Sequence, residues 1–245
     1  MQHSFELFFK IMKFMRLAGL FIALVILPAA IFSQTVVIHD PASQGSESGL
    51  GEAETRVMET EVLPGVRKKL VTETCTDSYT FTGSVNGAFS RAGAHQTLVF
   101  YQFCETGNGL GWVGITLLEG GKPVGTWVAD SGWAYQVTRL PDVNANGLNE
   151  FTLAYSGGMH QGQGGIGMDV VEFVKGAPRG MGWFQAEAIT DTESDWGYKV
   201  TVKKGKTPVF FRQKFLATGD NKWKPSGANT RFTLKKTTDT YTAVK

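Results

Sequence analysis

The sequence predicts an all-β protein: two or three antiparallel, blade-like meanders, related to propeller blades but too few to close a ring, behind a signal peptide and a disordered tether. Three observations carry this expectation. From Val71 onward, short runs of β-branched and aromatic residues are bounded by Gly, Asn or Asp, the pattern of strands and turns. No long stretch repeats apolar residues at helical spacing between caps. A weak self-similarity recurs at an offset of about 54 residues, a period suited to blades or meanders that bury a face against a neighbour. A closed propeller of about four to eight four-stranded blades needs more chain than this.

The N-terminus sets the compartment. Lys10, Lys13 and Arg16 precede an apolar run from Leu17 to about Phe32, broken by Pro28 and followed by Ser33, the layout of a secretory signal peptide over residues 1–33. The run falls short of the roughly 20 residues of a spanning helix, so the expectation is a secreted or periplasmic protein with no transmembrane domain after processing. Residues 34–56 carry Pro41, Ser43, Gly45, Ser46, Glu47, Ser48, Gly49 and Gly51, a composition that reads as a disordered linker because it buries too little apolar surface to offset chain entropy.

Residues 57–195 read as a repeated β-meander domain. Thr97–Phe103, Val113–Glu119, Val124–Ala129 and Trp133–Thr138 are its clearest strands, and Glu119–Lys122 and Val174–Ala177 its hairpin turns. The offset overlays 96–102 on 150–156, 114–121 on 167–174 and 125–127 on 180–183. Residues 196–245 read as a separate basic β unit, with strands at 199–203, 208–212, 231–235 and 240–244 whose alternation suggests one wet face.

Between strands lies Asp142-Val143-Asn144-Ala145-Asn146-Gly147-Leu148-Asn149-Glu150. It sets oxygen side chains at positions one, three, five and nine, a backbone carbonyl from Leu148 at seven, and a glycine at six that permits a tight turn. An EF-hand would close with a glutamate at position twelve and enter a helix; here twelve is Leu153, in strand-forming sequence. Over roughly residues 137–175 the loop resembles the FG-GAP and VCBS calcium-loop repeats of the integrin alpha-subunit propeller and of many bacterial secreted proteins. The resemblance implies Ca2+ as cofactor, with ligand roles on Asp142, Asn144, Asn146, Leu148 and Glu150. Only Asp142 and Glu150 bring charge, which points to weak, extracellular-type affinity. The same residues also suit a polar Asx turn without metal.

Cys75 and Cys104 are the only cysteines; an exported chain favours a disulfide, and two buried thiols are the other reading. A Cys104 nucleophile with His95 has no supporting local chemistry. Charge is divided: from Trp196 onward twelve Lys and Arg face only Asp220 and Asp239, about +10, leaving about −10 on residues 34–195. Such a tail can bind a polyanion or simply keep strand faces wet.

Gly162–Gly167 matches the dinucleotide pattern but leads into a strand rather than a helix, so no nucleotide is expected. His95 and His160 lack zinc-ligand spacing. Trp127 and Trp183 are expected in the core, and Trp112 and Trp133 at the surface. The functional expectation is an exported calcium-binding β-rich module of the cell envelope or extracellular space, binding a polysaccharide or protein, more a binder than an enzyme. The alternative is a cell-envelope enzyme or enzyme inhibitor whose site is assembled from loops.

Overall fold

The computed structural model describes residues 34–43, 49–71, 75, 78–106, 110–157, 163–190, 194–219, 222–237 and 240–245. The signal segment 1–33, His160 and Gly162 lie outside them. In chain order the elements are β1 (Thr35–His39), helices α1 (Glu52–Val57) and α2 (Leu63–Leu70) joined by a π-helical turn (Met58–Val62), β2 (Tyr79–Gly87), β3 (Gln96–Thr106), β4 (Leu110–Glu119), β5 (Lys122–Arg139), β6 (Phe151–Ser156), β7 (Gln163–Val174), β8 (Ala177–Thr190), β9 (Trp196–Lys203), β10 (Val209–Ala217), β11 (Trp223–Pro225), β12 (Thr230–Phe232) and β13 (Thr242–Ala243).

Strands β2 to β11 pair antiparallel in sequence order, so the fold is all-β and the sheet is open, as expected. Two-residue turns drive this. Gly120 and Gly121 (φ 59° and 74°) connect β4 to β5, and Lys175 and Gly176 (φ 53° and 78°) connect β7 to β8; left-handed conformation at both central positions matches the twist of the flanking strands.

β5 changes partner midway. Up to Gly132 it pairs with β4, and from Trp133 with β6, so two sheets meet along one strand. Leu98, Phe100 and Ile115 of the first sheet share a buried cluster with Phe151, Leu153 and Phe173 of the second. The first sheet's other face carries Val99, Tyr101 and Phe103 against Met58, Val62, Leu63, Val66 and Leu70 of the helical segment. The second sheet's other face packs Ala154, Met168, Val170, Val200 and Val202 with Ile38 of β1. Central strands are thus buried on both faces, which is why 98–101 reads as an unbroken apolar run.

Three expectations are corrected. Residues 34–56 are not simply a tether. β1 pairs with the half of β9 that β8 leaves uncovered, Thr35 against Lys203 and Val37 against Thr201, satisfying backbone groups that would otherwise be exposed. α1 begins at Glu52, its Gly51 N–H donating to Glu54 Oε2 at 3.2 Å. Nor does a boundary fall at 195/196: β8 pairs directly with β9, β13 returns to pair with β5, and residues 34–245 form one compact unit. The runs at 124–129 and 133–138 are one strand. Among the described residues no helix is long and apolar enough to cross a membrane.

Cys75 and Cys104 are disulfide-bonded, with Cα atoms 5.4 Å apart, tying the chain beyond α2 to β3 inside the helix-covered core. Cys104 is the bulged residue of β3, at φ 71°, its N–H donating to Ser78 C=O at 2.8 Å. That left-handed backbone is costly for a side-chain-bearing residue and is held by the bridge and the Ser78 bond together.

Candidate metal centre

The loop from Asp142 to Glu150 connects β5 to β6, and its ends are pinned by Leu140 N–H donating to Glu150 C=O at 2.7 Å. Asn149 clamps it from outside: its Oδ1 accepts from Ala88 N–H at 2.9 Å and its Nδ2 donates to Leu140 C=O at 3.1 Å. From the β9–β10 turn, Gly205 N–H donates to Val143 C=O at 3.0 Å.

Inside the loop, side-chain oxygens organise the backbone. Asp142 Oδ1 accepts from Asn146 N–H at 3.1 Å and Oδ2 from Gly147 N–H at 2.9 Å. Asn144 Oδ1 accepts from Asn146 N–H at 3.1 Å, and Asn146 Oδ1 from Leu148 N–H at 2.8 Å. Ala145 (φ 60°) and Gly147 (φ 86°) adopt the left-handed backbone that lets the chain coil this tightly. Asp142, Asn144 and Asn146 are therefore brought together, with Leu148 half-buried on the same turn.

Glu150 differs from the other four. It is 0 % exposed. Its Oε2 accepts from Val143 N–H at 2.7 Å, while its buried Oε1 has no hydrogen-bond partner. Burial pushes its carboxyl up to about 7, against the opposing pull of the Val143 N–H, and the nearby Asp142 and Glu172 charges push the same way as burial.

Glu172, on β7, is the residue that sequence spacing missed. It is buried, accepts from Asn144 Nδ2 at 2.9 Å, and pairs with Arg179 at 2.6 Å. The signal was present only in the β6–β7 register, which sets Phe151 opposite Val171 and so brings residue 172 beside the loop.

An unpartnered carboxylate oxygen in the interior is expensive unless a proton or a cation meets it. The oxygens gathered here are two carboxylates and two amides, with a backbone carbonyl at position seven, a set suited to a hard cation such as Ca2+ rather than to zinc. Among the described residues no three His, Cys, Asp or Glu side chains form a metal-binding group, so any ion at this loop depends on the amide and carbonyl oxygens as well. The residues present fit the implied ion on the ground of the orphaned Glu150 Oε1.

Elsewhere, β1 and the following turn wall a cavity of about 730 Å3 that includes His39, Asp40, Tyr135, Glu187 and Trp223. There His39 Nε2 lies 3.1 Å from Glu187 Oε1, and Lys199 pairs with Asp40 at 2.7 Å. Trp127 is buried; Trp183 is only half-buried, beneath Lys235, and Trp112 and Trp133 are half-buried rather than exposed. Cys104 is not a free thiol. Comparison of the chain with protein-family models, curated proteins and solved structures finds no match.

Proposed function

We propose that this is an exported, calcium-binding β module of the cell envelope or extracellular space, in which the ion fastens the β5–β6 connection and the surrounding surfaces bind a polysaccharide or protein. The observation that carries the calcium reading is Glu150, a fully buried carboxylate that accepts from the loop's Val143 N–H through one oxygen while the other has no hydrogen-bond partner. Asp142, Asn144 and Asn146 would hold the ion through side-chain oxygens, Leu148 through its carbonyl and Glu150 through its carboxylate. Bound there, Ca2+ supplies the positive charge that two carboxylates lack. The FG-GAP/VCBS reading rests on the loop's spacing between β5 and β6, and the export reading on the basic and apolar order of residues 10–33.

The role is structural. Asn149 ties the loop to the segment after β2, and Val143 ties it to the β9–β10 turn, so fastening it steadies three connections at once. With two charged ligands the dissociation constant is expected at about 10⁻⁴ to 10⁻³ M. At about 10 mM free calcium that stabilises the fold by about 1.4 to 2.7 kcal/mol, or roughly 3 to 10 °C in Tm for a chain of this size. Asp142→Ala removes the shift. Thermal melts of both proteins in calcium and in chelator test the reading, and a wild type that melts identically in the two overturns it.

A further inference from the structure

We propose that the edge built by β9, β10 and β12 is a binding site for acidic polysaccharide, with Arg212 and Lys214 taking its carboxylate or sulfate groups. Register sets the face. Lys214 lies opposite Tyr198, Leu216 opposite Trp196, Arg212 opposite Val200, and on the far side Phe210 lies opposite Phe232. Trp196, Tyr198, Arg212, Lys214 and Phe232 therefore share one side of the sheet. They touch in sequence: Lys214 Nζ is 5.1 Å from the Trp196 ring centre, Trp196 packs edge-on against Tyr198, and Arg212 lies 4.6 Å from the Tyr198 ring and 5.1 Å from Phe232.

The arrangement prepares the cations for oxyanions. Rings against a guanidinium strip water from its faces and hold its orientation, while its in-plane N–H donors stay free for an oxyanion. All five side chains are half-buried, and neither Arg212 nor Lys214 forms an ion pair among the described residues. Along the strand the Cα atoms of the two cationic residues stand roughly 7 Å apart, two strand rises. Exposed Lys224, paired opposite Leu216, extends the row. The excess of about ten positive charges from Trp196 onward supplies the attracting field.

Occupied rings decide the partner class. Single-stranded nucleic acid binds through bases stacked on open aromatic faces, and here the protein's own cations lie over Trp196, Tyr198 and Phe232. A chain of acidic sugars needs only N–H donors for its oxyanions. Lys203 serves as the control, because it sits over Phe211 on the opposite face.

The test titrates the mature protein with polygalacturonate and dextran sulfate, with neutral dextran and a (dT)20 oligonucleotide alongside, at about 25 and about 150 mM NaCl, since screening separates exposed charge from buried contact. Both acidic polymers are expected to bind, at least about tenfold more weakly at the higher salt. Arg212→Gln and Lys214→Gln each weaken binding about fivefold or more, Arg212→Lys about threefold because the planar fork is lost, and Lys203→Gln less than about twofold. Circular dichroism checks folding, and if Arg212→Gln melts early, Lys214→Gln decides. Absence of binding at low salt, an equal loss in Lys203→Gln, or tighter binding of (dT)20 than of polygalacturonate overturns the proposal.

Discussion

Replacing Glu150 with Gln isolates the most unusual charge in the protein. In the folded chain its carboxyl is raised from an ordinary 4.5 to about 7, chiefly by burial. Between those values the folded chain keeps a proton that the unfolded chain has released, so stability is full below about pH 4.5 and falls as pH rises through 7. The span corresponds to about 3 kcal/mol, at 1.36 kcal/mol per unit. On the proposed calcium reading the ion competes with the proton, so its stabilising effect is expected to be small at pH 5 and large at pH 8. Urea unfolding at both pH values, in chelator and in about 10 mM calcium, measures the four corners. In Glu150→Gln the calcium response disappears and the acid-to-neutral decline flattens by about 3 kcal/mol relative to wild type. Parallel pH profiles for the two proteins in chelator would show that Glu150 is not protonated at neutral pH, and the argument from its burial would fail.

Reducing the Cys75–Cys104 bridge, which closes a separation of 29 residues, is expected to cost about 3 to 4 kcal/mol on the chain-entropy account; non-reducing peptide mass spectrometry that finds two alkylatable thiols in exported protein would refute the link. Leu63→Ala, at a site 2 % exposed under the first sheet, should destabilise by about 2 to 5 kcal/mol, whereas Lys68→Ala on the outer side stays within about 0.5 kcal/mol. Equal effects in chemical denaturation would mean that the helical segment does not cover that sheet.

Most of the strand order was legible because turn chemistry is local. Gly120-Gly121 and Lys175-Gly176 carry their conformations with them, and the intervening runs follow. The helix was missed for an equally local reason: Pro64 and Gly65, poor helix formers, interrupt it, and Gly51 falls in the stretch whose composition reads as linker. Yet Met58, Val62, Val66 and Leu70 recur every fourth residue, and all are buried. Pro64, which cannot donate to the preceding turn, is the second residue of α2, just past the end of the π-helical turn. Thr35–His39 was hidden by the composition of the residues after it, though four strand formers, Thr35 to Ile38, stand together there. At the loop, Asp142, Asn144, Asn146 and Glu150 were legible as a spacing. Glu172 and Arg179 were not, since only strand register brings them near, and no spacing rule announces that Glu150 would be buried with an oxygen unpaired. The same limit applies to Arg212, whose rings come from β9 and β12.

β5 gives its first half to one sheet and its second half to the other, and the core between those sheets draws on both. Neither sheet can therefore melt without stripping hydrogen bonds from a strand that the other also needs. Unfolding of the two is coupled through a shared backbone as well as through that core, and a cut at Gly132–Trp133 would leave the first sheet without β13 and the second without β1, not two smaller proteins.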